Sequence, residues 1–134
     1  MTTKKKVYLA SFLAPMLIML VAWIIDGFFP FGAKSLMAVD FNAQYIGLYA
    51  YFKHLFLNGD WSSFFYSFSK SIGGGMLGIW GFNLLSPFNF LFLLFSEENF
   101  QWVVPVTIAL RYGTMGLTMT HFLVKRYDGL KKKA

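Results

Sequence analysis

The chain has 134 residues, of which 57% are hydrophobic and 13% charged, about half the charged fraction of a soluble domain. Aromatic residues make up 21%, too many to hide inside so small a water-soluble globule. This composition excludes a soluble enzyme, and the lack of Cys excludes a disulfide scaffold. The net charge of +6 comes largely from Lys and Arg near the two ends, as at the cytoplasmic flanks of membrane proteins. The sequence therefore predicts an all-α integral membrane protein with no nucleic-acid partner.

The first predicted transmembrane helix covers residues 7–26, after a basic cytoplasmic tail at residues 1–6. Val7 to Ile25 carries no charge and is just long enough for the hydrocarbon core, roughly 30 Å at 1.5 Å per residue. A cleaved signal peptide is the alternative. The run is longer than the usual apolar region of such a peptide, and no small-x-small cleavage site follows it, so we favour a retained helix.

The second predicted transmembrane helix covers residues 101–124, with Arg111 inside it, and a basic tail follows at 125–134. Two crossings place both basic tails in the cytoplasm, as the positive-inside rule requires. Residues 27–100 then form a long extracytoplasmic loop. We expect a multi-pass protein of the bacterial plasma membrane with both termini cytoplasmic.

Residues 76–95 are uncharged and offer an alternative with three transmembrane helices. Glycines, polar residues and Pro87 interrupt the segment, and its last apolar run is too short to cross. Three crossings would also place the basic C-terminal tail outside. We therefore expect in-plane helices at about 41–57 and 84–95 within the outer loop, with Ser86–Asn89 redirecting the chain.

The first in-plane helix is predicted from a stripe of apolar residues at helical spacing, namely Phe41, Tyr45, Leu48, Phe52 and Leu55. Asp40 is placed to cap its N-terminus. Asn58 and Gly59 are placed to end it. A helix with this stripe is expected to lie against the membrane surface.

Several short motifs, in order, resemble the N-terminal region of YfhO-type bacterial membrane proteins. They are Pro30-Phe31-Gly32, Ser35-Leu36, Asp40, Gln44-Tyr45, Gly73-Gly74 and Ser86-Pro87-Phe88-Asn89. The resemblance covers roughly residues 5–127. Members of this family are much longer glycosyltransferases of the GT-C architecture, so this chain would be their first module.

The resemblance implies a function and a catalytic residue. GT-C enzymes use a polyprenyl-phosphate-linked sugar as donor, and the acceptor here would be a cell-envelope polymer such as teichoic acid. Such enzymes carry a catalytic acidic residue in the first outer loop, which corresponds to Asp40. A carboxylate partly desolvated at a membrane surface is suited to act as a general base. Asp26 and Asp60 are the alternatives if Asp40 only caps its helix.

Four further residues are candidates for substrate binding. Gln44 lies one turn after Asp40, on the same side of the helix, and Tyr45 follows it, although packing is the simpler role for Tyr45. An Arg inside a span usually faces a bundle interior, so Arg111 is a candidate partner for the donor phosphate, with snorkelling to the interface as the alternative. Asn89 belongs to the motif that redirects the chain, and whether it also contacts substrate is left open. No metal site or cofactor is predicted, and a requirement for a divalent ion is left open.

Two other functions compete with the glycosyltransferase. One is a small non-catalytic scaffold or accessory subunit of a membrane complex, and the other is a transporter fragment with helices broken by Gly and Pro. Two spans cannot enclose a lipid-linked sugar. We therefore expect further transmembrane helices or other subunits as partners, and no turnover by the isolated chain.

Overall fold

The computed structural model describes residues 3–39, 41–68, 70 and 72–131, with side chains from 4 to 127 within those ranges. The chain divides into two compact units. Unit 1 combines Met1–Lys34 with Pro105–Ala134, and unit 2 is Ser35–Val104.

Unit 1 contains α1, which runs from Thr3 to Asp26. The helix therefore starts before the predicted span, because Lys residues are good helix formers and extend it beyond the apolar run. Its large apolar side chains are mostly exposed, Ile18 by 71% and Ile25 by 78%, as expected of a surface that faces lipid or other helices. After it, residues 27–34 form a closed turn in which the Lys34 N–H donates to the Gly27 carbonyl.

The other long helix, α4, runs from Phe100 to Lys131. It extends through the basic residues that the sequence assigned to a cytoplasmic tail, because Lys and Arg continue a helix readily. Among the described residues, Lys4–Asp26 is the one continuous helix both long and apolar enough to cross a bilayer. The bent pair Leu77–Leu84 and Pro87–Leu94 would add a second if it formed a broken span. A second span at 101–124 stays a prediction.

Within unit 1, α1 and α4 pack antiparallel at close range. A Cβ atom on Gly113 would lie 2.8 Å from side-chain atoms of Phe12 and of Met16. One turn further along α4, Gly116 lies against the Ser11 carbonyl. Helices approach this closely only where small residues line the contact.

Unit 2 is built around α2, which runs from Ile46 to Asn58 and follows a π-helical turn at Phe41–Tyr45. Gly59 ends α2 in the left-handed conformation at φ 66°, which confirms the predicted stop at Asn58 and Gly59. The buried face holds Tyr49, Phe52 and Leu55. The predicted stripe is thus partly wrong: Tyr49 is buried at 3% exposure and belongs to the core, whereas Leu48 is half-buried and lines a groove.

The remainder of unit 2 consists of short elements. A 3₁₀ turn at Trp61–Phe64 leads into an antiparallel pair, β1 (Tyr66–Ser67) and β2 (Gly74–Gly75). Next come α3 (Leu77–Ile79), a π-helical turn (Trp80–Leu84), and 3₁₀ helices at Pro87–Leu94 and Glu97–Asn99.

The chain turns by 88° between Leu77–Leu84 and Pro87–Leu94, so the predicted redirection at Ser86–Asn89 is confirmed. The predicted helix at 84–95 starts later, at Pro87, and is a 3₁₀ helix. Proline lacks an N–H and has a fixed φ, so it favours the first position of a helix over an interior one.

Stacked and edge-on aromatic rings form the core of unit 2. Tyr49 and Phe92 stack with centroids 4.0 Å apart, and Phe92 meets Phe100 edge-on at 4.9 Å. Trp80 stacks on Phe64 at 4.4 Å, and its indole N–H donates to the Phe64 carbonyl at 2.6 Å. Each such pair contributes about 0.5–1.5 kcal/mol beyond its buried area. The core therefore holds α2 against the turns that follow it.

Candidate functional site

An open groove of 610 Å³ runs beside α2 within unit 2. One wall is formed by residues of α2 that adjoin its buried face. The other wall comes from the strand pair β1–β2 and the helical turns that follow β2. The lining residues are mostly apolar or small: Ala43, Gln44, Gly47, Leu48, Tyr51, Ser67, Lys70, Met76, Ile79 and Phe82. Its volume lies in the usual range for ligand pockets, about 300–1,000 Å³.

A second cavity of 480 Å³ shares Gly47, Tyr51 and Ser67 with the groove. Its remaining lining is more polar and includes His54, Asp60, Ser63 and Glu97. Unit 2 therefore presents an apolar and a polar compartment on either side of Tyr51.

Tyr51 is fixed between the two compartments. Its hydroxyl donates to the carbonyl oxygen of Ser63. Burial raises the pKa of Tyr51, and the nearby Asp60 carboxylate adds to this, whereas a hydrogen bond with Ser67 opposes it. The phenol therefore stays protonated at neutral pH and can serve as a hydrogen-bond donor.

Asp60 is the carboxylate of the polar cavity. The hydroxyls of Ser62 and Ser63 donate to its two oxygens at 2.5 and 2.6 Å, and these bonds lower its pKa. His54 lowers the pKa further through its charge. A carboxylate held in this state is ionised at neutral pH and is a weak proton acceptor.

No metal-binding group is found in the part of the chain that the structure describes. Among those residues, no three His, Asp or Glu side chains lie together in a way that could hold an ion.

The predicted catalytic residue, Asp40, lies outside the described residues, immediately before the π-helical turn. Gln44, one turn later, is exposed and lines the groove. Tyr45 is half-buried and stacks between Phe41 at 5.4 Å and Phe82 at 6.2 Å. The structure thus brings Gln44 to the groove and gives Tyr45 a packing role.

Asn89 is fully buried, with 0% of its surface exposed. Its side-chain amide donates to the carbonyls of Asn83 at 2.7 Å and Leu84 at 3.1 Å, at the end of a π-helical turn. These bonds satisfy carbonyls that the chain reversal would otherwise leave without partners. Asn89 therefore has a structural role at this chain reversal, and its contact with a substrate stays a prediction.

Arg111 belongs to unit 1 and is half-buried on α4. Because Gly113 packs against Phe12 and Met16 in an antiparallel register, Arg111, two residues earlier on α4, is level with the middle part of α1 along the helix axes. A guanidinium placed there in a membrane costs about 2.5–3.5 kcal/mol on insertion scales.

Sequence reasoning missed Lys70 and Tyr51 as residues of the cavities. Lys70 is a single basic residue among Ser, Gly and aromatic residues, and that isolation was the available signal. The sequence gave no signal for Tyr51, because a Tyr that lines a cavity and a Tyr that packs in the core look alike on an aromatic-rich helix.

These features are those of a membrane protein: an apolar helix long enough to span, basic ends, and an aromatic-rich segment that lies between the two long helices in the sequence. Residues 11–134 match the model of the family described as bacterial membrane protein YfhO, and the chain belongs to that family. Neither a curated protein sequence nor a solved structure matches the chain significantly.

Proposed function

We propose that the chain is the first module of a membrane glycosyltransferase that works on the outer face of the bacterial plasma membrane. The donor is a polyprenyl-phosphate-linked sugar, and the acceptor is a cell-envelope polymer such as teichoic acid. The observation that carries this proposal is membership of the YfhO family over residues 11–134.

The proposed topology has two spans, both termini in the cytoplasm and unit 2 outside. Antiparallel packing of α1 and α4 supports it, because two antiparallel spans return the chain to its starting side. The hydroxyls of Thr114 and Thr118 donate to the carbonyls of Leu110 and Met115 of their own helix. Such bonds let polar side chains enter the hydrocarbon layer.

Asp40 is the proposed general base, which takes the proton of the acceptor hydroxyl as the hydroxyl attacks the anomeric carbon. Asp60 is less suited to this role because its serine hydrogen bonds lower its pKa. Gln44 is placed to bind sugar hydroxyls from the groove wall. Arg111 is the proposed partner of an anion at membrane depth, in a site completed by further helices or subunits.

The experiment compares Asp40→Asn with the matched variant Asp60→Asn, each in the native gene returned to a strain that lacks it. Asn caps a helix about as well as Asp but cannot accept the proton. We expect Asp40→Asn to be present in the membrane at the normal level and to lower sugar transfer to the envelope polymer by a factor on the order of 10². Asp60→Asn retains transfer. Normal decoration with Asp40→Asn would contradict catalysis by Asp40, and normal decoration without the gene would contradict the proposed function.

A further inference from the structure

We propose that the β1–β2 hairpin, residues 66–75, inserts into the surface of the bilayer that α1 crosses. Tyr66, Phe68 and Ile72 form its apolar face, and this face enters the layer between the lipid headgroups and the acyl chains. The partner is the lipid surface as a whole, and the inference does not rest on the proposed transfer reaction.

The two aromatic rings of this face are held together over a glycine. A Cβ atom on Gly73 would lie 2.5 Å from the hydroxyl oxygen of Tyr66 and 3.4 Å from a ring carbon of Phe68. The rings therefore occupy the space beside Gly73, and they meet edge-on with their centroids 5.3 Å apart. Gly73 has φ 104°, a conformation that glycine adopts without strain. The hairpin thus presents a packed pair of rings.

The hairpin turns its apolar side chains outward and a polar one inward. Phe68 is 82% exposed and Ile72 is 96% exposed, whereas Ser67 is buried at 5%. Successive residues of a strand point to opposite faces, and an antiparallel pair in water commonly buries its apolar face. Here the order is reversed. An exposed cluster of this kind marks a surface that contacts an apolar partner.

The charge of this part of the chain is suited to a membrane surface. Lys70 is the one charged residue in the sequence from 61 to 96. Its stem lies beside Gly74, where a Cβ atom would be 3.2 Å from its Cδ, and its ammonium donates to the Gly75 carbonyl at 2.9 Å. A Lys stem can lie on apolar surface while its ammonium stays among the headgroups, and anionic lipids attract that charge. Insertion of the hairpin therefore desolvates no carboxylate.

The small area of the face favours lipid over a protein partner. A stable protein interface buries about 800 Å² on each partner. Three large side chains at roughly 150–250 Å² each fall short of that, and Tyr66 is already half-covered. A bilayer needs no such area, because unit 2 begins at Ser35, after only residues 27–34 following α1. A covalent tether of this kind gives the membrane a high effective concentration at a weak site.

The experiment measures the depth of a spin label on the purified chain in nanodiscs of phosphatidylcholine and phosphatidylglycerol. The chain has no Cys, so Ile72→Cys carries the only label. Apolar oxygen concentrates among the acyl chains, whereas a nickel chelate stays in water. We expect oxygen to reach the label at position 72 better than nickel does, and the reverse for Glu98→Cys in an exposed polar turn. Preferential access of nickel to position 72 would place the hairpin in water, and protection from both reagents would place it against protein. Either result would overturn the proposal.

A second substitution in the labelled protein separates the effect of the hairpin from that of the label. Phe68→Ser removes the more exposed ring of the apolar face, and it should lower the oxygen-to-nickel access ratio at position 72 severalfold. Because Phe68 is 82% exposed, its loss should leave the core of unit 2 intact. Leu94→Ser is the matched control, since Leu94 is 76% exposed but lies outside the hairpin, and it should leave the ratio unchanged. An unchanged ratio with Phe68→Ser, or an equal loss with Leu94→Ser, would overturn the role of the hairpin face.

Discussion

Gly116 of α4 lies against the main-chain carbonyl of Ser11 in α1 so closely that a Cβ atom would overlap the oxygen. The ring of Pro15 is also close, with its Cγ 2.9 Å from where that Cβ would be. Neither backbone carbonyl nor proline ring can move aside as a flexible side chain can. The α1–α4 contact therefore depends on the absence of a side chain at this position.

Gly116→Ala should destabilise unit 1 by about 1–3 kcal/mol through overpacking. Gly47→Ala is the matched control, because it is also a helical glycine but has open space around it. It should stabilise the protein by about 0.5–1 kcal/mol through helix propensity. Thermal unfolding in detergent measures both, and equal stabilisation by the two variants would mean that the helices do not pack as described.

Asn89→Ala should destabilise unit 2 by about 1–3 kcal/mol, because it leaves the Asn83 and Leu84 carbonyls buried without their donor. Asn99→Ala is the control, since that exposed amide donates only to the exposed Ser96 hydroxyl and its loss should change stability little. Stability is measured by denaturant unfolding followed by tryptophan fluorescence. A fully stable Asn89→Ala protein would contradict this structural role of the side-chain amide.

Some elements could be predicted from the sequence because one physical requirement determines them. A charge-free run of bilayer length predicts α1, Gly59 predicts the end of α2, and Pro87 predicts the change of direction. The pairing of β1 with β2 could not be predicted, because two consecutive glycines have low strand propensity and gain their partner only from tertiary structure.

The buried face of α2 and the lining of the groove also depend on tertiary structure, and the sequence predicts them only in part. Aromatic residues occur all around this helix, so hydrophobic spacing alone could not separate buried Tyr49 from groove-lining Leu48. Gln44 could be selected by its spacing from Asp40. Lys70 could not be selected, because the strand pair that places it beside the groove could not be predicted from the sequence.

Asp60 should make the stability of unit 2 depend on pH in the acidic range. Its folded pKa lies below the ordinary value of 3.8, so the unfolded chain takes up a proton first as the pH falls. The stabilisation is fully present above the unfolded pKa and is lost as the pH falls through the folded pKa. Comparing unfolding of wild type and Asp60→Asn between pH 6 and pH 3, roughly the range around that value, isolates the effect. A pH dependence identical in both proteins would contradict it.

The serine hydroxyls are the expected cause of that shift. Ser62→Ala combined with Ser63→Ala should return the pKa of Asp60 toward its ordinary value. The pKa is read from a nuclear magnetic resonance titration of the labelled carboxyl group. Ser96→Ala, at an exposed serine outside this cluster, should leave the pKa of Asp60 unchanged. An unchanged pKa in the double variant would assign the shift to another group.

The central claim of the proposed topology is that α1 and α4 both cross the membrane, so that residues 27–100 lie on its outer side. The chain has no Cys, so single cysteines at Glu98 and Lys131 report on each side of α4. An impermeant thiol reagent on intact cells should label Glu98→Cys and leave Lys131→Cys unlabelled until the membrane is permeabilised. If residues 76–95 also crossed the membrane, the chain would have three spans and the labelling pattern would reverse. Labelling of Lys131→Cys in intact cells, with Glu98→Cys protected, would therefore contradict the proposed topology.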